Sequence, residues 1–304
     1  MGQKVIQGDT MEETRAQLVE KLTHLIREPG RFPTAIEGFH LTRWNEANQT
    51  DTCFYSPAIG VILQGRKEAV IGSETLRYGE FDCLVNGVDM PSLSTIIAAS
   101  PEQPLLAVSL DIDRTLATEL AAEISPVPNT ASAHYLGVSV AKVTPDVLEA
   151  FSRLLNVLGN PEHRALIAPL VVREIITRVL MGPQGGALRM IYTLGSHSNQ
   201  IAEAITWLRA NYEQPLHINE LADKVGMATS TFHRQFKNVT SLSPLQFQKY
   251  LRLYEAQRLM LSEDKDANTA GRIVGYGNLQ QFNREYKRLF GEPPLRNVKQ
   301  LRRE

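Results

Sequence analysis

Two six-residue runs carry the side chains best suited to recognition chemistry. Phe232-His233-Arg234-Gln235-Phe236-Lys237 returns fifty residues on as Phe282-Asn283-Arg284-Glu285-Tyr286-Lys287. In each run an aromatic pair at i and i+4 lies on one helical face, leaving polar and basic residues for the others. An Arg guanidinium matches O6 and N7 of guanine in bidentate fashion, and Asn or Gln matches N6 and N7 of adenine. Lys supplies a point charge for phosphate, which positions a protein on DNA without reading sequence. The chemistry is recognition of double-stranded DNA by two helices. Ser230, His233, Arg234 and Lys237 fall on open faces of the first, and Gln280, Asn283, Arg284 and Lys287 on those of the second. Lys237, Lys287 and Arg288 suit phosphate.

Each reading helix needs a scaffold, and the repeat extends far enough to supply one. Val225-Gly226-Met227 is echoed by Val274-Gly275-Tyr276, and Ser243-Pro244-Leu245 by Pro293-Pro294-Leu295. The pattern predicts helix, Gly turn and second helix, twice: Ile218–Val225 then Thr229–Val239, and a helix capped by Asp266 and ending at Val274 before the second run. Gly226 and Gly275 suit turns that need positive φ. Ala222 and Gly271 are small where two helices must cross closely. Ser243 as N-cap and Pro244 at N1 start a connecting helix to about Leu261. About 18 residues at ~1.5 Å each give a spacer of roughly 27 Å, comparable with the roughly 34 Å of one DNA turn.

The 304-residue chain has room for two domains, which we place at 1–195 and 196–304. The formal net charge of −1 hides an asymmetry: residues 1–195 carry 16 Lys and Arg against 22 Asp and Glu, and residues 196–304 carry 16 against 11. A basic C-terminal third fits a nucleic-acid module. Cys53 and Cys83 are the two cysteines, too few for a disulfide framework or a thiolate zinc site. No signal-peptide core or membrane-length apolar run is visible, so the expectation is a cytoplasmic protein with no membrane partner.

From Ile36 to about Ile112, short β-branched and aromatic stretches alternate with turn signals: Phe39–Trp44, Ile59–Leu63, Glu68–Ile71, Thr75–Tyr78, Phe81–Val85, Leu93–Ile97 and Leu105–Ile112. They predict a small β-barrel or sandwich. Residues 11–27, Leu116–Ile124, Asp146–Leu158, His163–Met181 and Leu188–Leu194 read as helices, with Gly30 and Pro33 ending the first. The expected class is α+β: an N-terminal small β-barrel with flanking helices, then an all-α domain of two helix-turn-helix units joined by a long helix. Two apolar stripes, one through Leu148, Phe151, Leu154, Leu155 and Leu158, the other through Leu166, Leu170, Val171, Ile175, Val179 and Leu180, make 146–194 the candidate homodimer segment.

Residues 196–300 resemble the DNA-binding domain of AraC-type (AraC/XylS) transcriptional regulators, most specifically in Phe282–Gly291. The segment from Tyr55 to Lys67, with Tyr78-Gly79-Glu80-Phe81, resembles the cupin-type sensor domain of one AraC-type subgroup. The resemblance implies a cupin-like jelly roll that binds a small-molecule effector, helices for dimerisation, and action at promoters in contact with RNA polymerase. It also implies that Gln281 faces DNA beside Gln280, Asn283 and Arg284. Two departures stand out: Gly277-Asn278 follows Tyr276 where an acidic residue is usual, and Ser241 stands where many members carry Gly.

An effector pocket would draw on Phe39, Trp44, Ile62, Phe81 and Val85, with Arg66 and Lys67 near a turn for an anionic ligand. A rival mechanism is thiol sensing at Cys53 or Cys83, although neighbouring Asp51 and Asp82 disfavour the thiolate. A catalytic cupin would need several His and a carboxylate around one ion. Between Ile36 and Ile112 the only histidine is His40, so the expectation is no metal, no cofactor and no enzyme activity. A non-specific architectural DNA binder and a cupin enzyme with an accessory DNA-binding domain are the other alternative classes.

Overall fold

A computed structural model describes residues 2–71, 74–124 and 136–302. The chain opens with helix α1 (Gly2–Leu25), followed by strands β1 (Gly30–Pro33), β2 (Phe39–Trp44), β3 (Thr50–Tyr55), β4 (Ala58–Gln64), β5 (Arg66–Ile71), β6 (Glu74–Gly79), β7 (Asp82–Asn86), β8 (Met90–Ala98) and β9 (Leu105–Asp111). Helix α2 (Arg114–Glu123) and strand β10 (Val138–Lys142) precede helices α3 (Pro145–Asn156), α4 (Pro161–Leu166), α5 (Ala168–Met181) and α6 (Gly185–Tyr192). The rest is helical: α7 (His197–Ala210), α8 (Ile218–Lys224), α9 (Thr229–Thr240), α10 (Pro244–Ser262), α11 (Ala267–Ile273), α12 (Leu279–Phe290) and α13 (Pro294–Leu301). The α+β class and the β-then-helical order are as the sequence implied.

Among the described residues the strands form two antiparallel sheets, one ordered β1-β2-β9-β4-β7-β10 and the other β3-β8-β5-β6. The larger sheet is covered on both faces. Leu41, Ile59, Val61, Leu63, Val108 and Leu110 point one way, into a core shared with Leu18 and Leu22 of α1, Phe151 and Leu154 of α3 and Ile175 of α5. The opposite face meets the smaller sheet, where Ile62 packs with Ala69 and Tyr78 and the Tyr55 and Tyr78 hydroxyls lie 3.1 Å apart.

This arrangement corrects the sequence-based pocket. Phe39 and Val85 belong to the helix-covered core, with Phe39 stacked 6.2 Å from Phe151. Phe81 sits at the β6–β7 turn with φ 63°, its ring under the Arg15 guanidinium of α1 at 5.4 Å. Ile62 does face the barrel interior, and Trp44 shares that face at the end of β2 through its register with Leu105. A strand's period of two separates its faces, but it does not say which face packs on helices and which on the second sheet.

Three strands escaped the sequence reading. Gly30 and Pro33, taken as helix terminators, lie in β1 at a sheet edge, where Pro is tolerated. β3 is a largely polar edge strand, and β10 is a short edge strand within a region that reads as helical. The expected helix His163–Met181 is broken between α4 and α5, where Pro169 lacks an N–H and its ring clashes with the preceding turn.

The first apolar stripe of the expected dimer segment is used within the chain: Leu148, Phe151, Leu154 and Leu155 are buried. The second divides. Val171, Ile175, Val179 and Leu180 are buried, while Leu166 and Leu170 remain 72% and 64% exposed beside half-exposed Ile167.

Candidate nucleic-acid interface

The two helix-turn-helix units repeat down to individual hydrogen bonds. In the first, α8 ends at Gly226 with φ 70°, and Met227 N–H donates back to Ala222 O at 2.9 Å. In the second, α11 ends at Gly275 with φ 88°, and Tyr276 N–H donates to Gly271 O at 2.9 Å. Gly271 is small for a reason: a Cβ there would lie 3.1 Å from the Phe282 ring. Gly275 is fixed twice over, because a Cβ would meet Glu213 O at 2.1 Å and the positive φ disfavours any side chain.

The second helix of each unit is held by its aromatic pair. Phe232 and Phe236 are fully buried with centroids 5.5 Å apart, and Phe236 meets Phe247 of α10 edge-on at 5.5 Å. Phe282 and Tyr286 repeat this at 5.6 Å, with Tyr276 5.3 Å from Phe282. Burying these faces turns the polar ones outward. Ser230, His233, Arg234 and Lys237 on α9 are exposed, as are Gln280, Asn283, Arg284, Lys287 and Arg288 on α12. Arg234, Lys237, Arg284 and Lys287 make no side-chain hydrogen bond or ion pair among the described residues. Four unneutralised cations on two repeated faces form the electrostatic footprint that a phosphate backbone requires.

Gln281 is placed differently from its neighbours. It is half-buried, and its amide donates to Glu285 at 3.2 Å. Glu285 also accepts from Lys249 Nζ of α10 and from the Tyr276 hydroxyl, both at 2.8 Å. Burial pushes this carboxyl up, but the bonds from Lys249, Gln281 and Tyr276 outweigh it and hold the group below the usual carboxylate range. Sequence reading missed this strut. Its signal was a carboxylate where the first unit has Gln235, on a helix whose aromatic face is buried. Asn278, at the unusual position after Gly277, caps α12 by accepting from Gln280 N–H at 2.9 Å and Gln281 N–H at 3.1 Å.

Arg252, also missed, ties the units together. It donates to the backbone carbonyls of Tyr212, Glu213, Gln214 and Gly275, so one guanidinium joins the α7–α8 loop to the second unit's turn. Helix α10 starts with the expected cap, here a full capping box between Ser243 and Gln246. Its Phe247 and Leu251 sit in the large core with the barrel and the first unit, whereas Leu253, Ala256, Leu259 and Met260 sit in the second unit's own core.

Towards the barrel, Phe54 of β3 lies 5.9 Å from Phe247 and 5.2 Å from Tyr254, and the Tyr254 hydroxyl donates to Ser92 O of β8 at 3.0 Å. His40 is engaged as a strand residue, its Nδ1 lying 3.0 Å from Gly38 O and 3.1 Å from Arg31. Cys83 is buried, and burial with the nearby Asp82 charge pushes its thiol up to about 12. The Cys53 side chain lies outside the described residues.

The N-terminal family model for AraC-type transcriptional regulators matches residues 35–187, and a helix-turn-helix domain model matches residues 221–300. The chain belongs to the AraC family of transcriptional regulators. Relatives of this AraC-family chain include the transcriptional regulator ArgR of Pseudomonas aeruginosa PAO1, 27% identical over 150 residues that cover 49% of this chain and 46% of ArgR. The transcriptional activator RhaS of Pectobacterium carotovorum is 28% identical over 100 residues, covering 33% of this chain and 36% of RhaS. These matches therefore span less than half of either relative.

The fold of nearly the whole chain recurs in ToxT of Vibrio cholerae strain SCE256. An apo ToxT variant superposes with TM-score 0.58 at 7% identity, covering 88% of this chain and 98% of ToxT. Wild-type ToxT bound to an unsaturated fatty acid gives TM-score 0.55 at 8% identity, covering 90% and 97%. Among the described residues no helix is long and apolar enough to cross a membrane.

Proposed function

We propose that this AraC-family regulator reads two successive major-groove segments on one face of promoter DNA. The carrying observation is the pair of repeated faces, each bared by a buried aromatic pair and each with unpaired cations. Arg234, with His233 and Ser230, reads bases for the first unit; Arg284, with Asn283 and Gln280, reads for the second. Lys237, Lys287 and Arg288 hold phosphate. Gln281 serves as an internal strut that orients Glu285 and stands aside from base contact.

The regulator works as a cytoplasmic homodimer, 1–195 sensing and 196–304 reading. A second copy covers Leu166, Ile167 and Leu170. A small effector in the barrel shifts how the reading units are held, which requires different affinities for the two arrangements. Bound at a promoter, the dimer acts on RNA polymerase. Thiol sensing at Cys83 has no physical support in a buried thiol with a raised pKa.

Selection of duplexes from a random DNA pool with wild type and Arg234→Ala tests the reading. Two short preferred blocks about one helical turn apart, ~10 base pairs, are expected, with information lost from one block in the variant. Recovery of no motif by the folded protein overturns it.

A further inference from the structure

One difference between the two repeats changes how a helix is anchored. Where α9 carries Gln235, α12 carries Glu285. The Gln235 amide oxygen accepts from Asn238 of its own helix at 3.4 Å. Glu285 reaches across to α10 instead, its side chain 8% exposed and 2.8 Å from the half-buried Lys249 ammonium. A carboxylate taken this far from water needs a charged partner in good geometry, so the pair ties α12 to α10.

A second anchor holds α12 farther along α10. Phe290 meets Tyr254 of α10 at 5.6 Å. Asn297 Oδ1 of α13 accepts from the Tyr286 hydroxyl at 2.8 Å and from the Gln257 amide of α10 at 2.7 Å. From Lys249 to Gln257 the anchors stand roughly 12 Å apart, at ~1.5 Å of rise per residue. Two anchors that far apart set an angle between helices, whereas one alone acts as a pivot. Between them Arg252 clamps the Gly275 turn ahead of α12 to the carbonyls of Tyr212, Glu213 and Gln214. Gln248 donates to two of the same carbonyls, those of Tyr212 and Gln214. On the other side of this joint, α9 is seated on α10 through Phe236 and Phe247.

We infer that Lys249, Glu285 and Arg252 are spacing-determining residues: they fix the angle between α9 and α12, and with it the number of base pairs accepted between the two DNA blocks. This rests on the reading that each helix enters one major-groove segment. Each base pair inserted between the blocks moves the second by about 3.4 Å and turns it by roughly 35° around the duplex axis. A rigid pair of helices follows neither change, so one spacing is preferred. With the tie cut, α12 keeps its core and its outward face but tilts about the Tyr254–Asn297 anchor, and neighbouring spacings become acceptable. The three act through α12 and its turn, as positioning residues.

The test measures affinity of the full chain for the selected duplex and for versions with one base pair added or removed between the blocks. Wild type should lose about tenfold or more at either altered spacing. Lys249→Met and Arg252→Met, which keep an apolar stem, should lose about threefold or less, with base preferences inside each block unchanged. Exchanging the charges, Lys249→Glu with Glu285→Lys, should restore the sharp profile, which a general loss of packing would not do. In the free protein, nitroxides at His233→Cys and Asn283→Cys, in a Cys53→Ser/Cys83→Ala background, should give one narrow distance by double electron–electron resonance. Lys249→Met should broaden it and the charge exchange narrow it again. Wild type that tolerates all three spacings, variants as sharp as wild type, or an exchange that leaves the profile broad overturns the inference. Loss of the second block's own base preference in either Met variant also overturns it, since α12 is then lost rather than tilted. If wild type selects no second block, the two-groove reading has failed; the distance measurement then decides the tie, and an unbroadened distribution in Lys249→Met overturns it.

Discussion

At the scale of single residues, Arg234 on α9 and Glu285 on α12 hold charge in two different settings. Arg234 is exposed and makes no side-chain hydrogen bond or ion pair among the described residues, which leaves its guanidinium free for the base contact proposed above. Arg234→Ala should cost about 1–3 kcal/mol of specific binding and relax preference at one base pair, measured by equilibrium binding to single-base variants of the selected duplex. Lys237→Ala should instead weaken all duplexes alike and lower the slope of log K against log salt by about 1. Glu285 is buried and answered from three sides, and its carboxyl titrates below its unfolded value. Its contribution is therefore present above the unfolded pKa and lost as pH falls through the folded one. Acid titration followed by the fluorescence of the tyrosines around α12 should show the second unit loosening first on the acidic side. Glu285→Gln should abolish that acid sensitivity, and an unchanged acid profile would count against the strut.

At the scale of elements, backbone conformation decides more than side-chain identity. Gly275→Ala puts a Cβ against Glu213 O in a left-handed turn, and a loss of more than about 2 kcal/mol is expected, read by chemical denaturation. Ser241 caps α9 in the left-handed region with φ 59°, so Ser241→Gly should stabilise by about 0.5–1 kcal/mol. Such turns were legible in the sequence because the repeat aligned Gly226 with Gly275 and separated aromatic from polar faces. The outward polar faces were legible for the same reason: burying Phe232 and Phe236 leaves one direction for Arg234. The barrel was legible only as strands. Phe39 and Val85 look like pocket residues until α1 and α3 are seen to cover them, a long-range fact that alternation does not encode. The polar strand β3 was missed because Thr50–Tyr55 sits at a sheet edge and lacks the apolar alternation of a buried strand. Arg252 and Glu285 were missed because each acts across elements distant in sequence.

At the scale of the whole molecule, apolar surface and core continuity set the expectations. Leu166→Glu/Leu170→Glu places charge on a patch that is uncovered in one chain, so the fold should persist while a dimer dissociates. Sedimentation equilibrium checks this, and an unchanged mass would overturn the proposed contact at Leu166 and Leu170. The larger core runs without interruption from α1 through the barrel to Leu251, and the second unit has a core of its own. Denaturation should show two steps, the smaller belonging to α11–α13. The division of α10 between these cores bears on chimera building. A graft joined at residue 195 would cut through packed structure, since Asn199 of α7 donates to Ile191 O of α6 and α7 shares the sensor's core. The two apolar cores part inside a continuous helix, between Leu251 and Leu253, but Arg252 and Tyr254 bridge them, the one to the α7–α8 loop and the Gly275 turn and the other to Phe54 and Ser92 of the barrel. An exchange of recognition specificity that keeps effector control should therefore replace the outward residues of α9 and α12 one by one, leaving the joints of the molecule as they are.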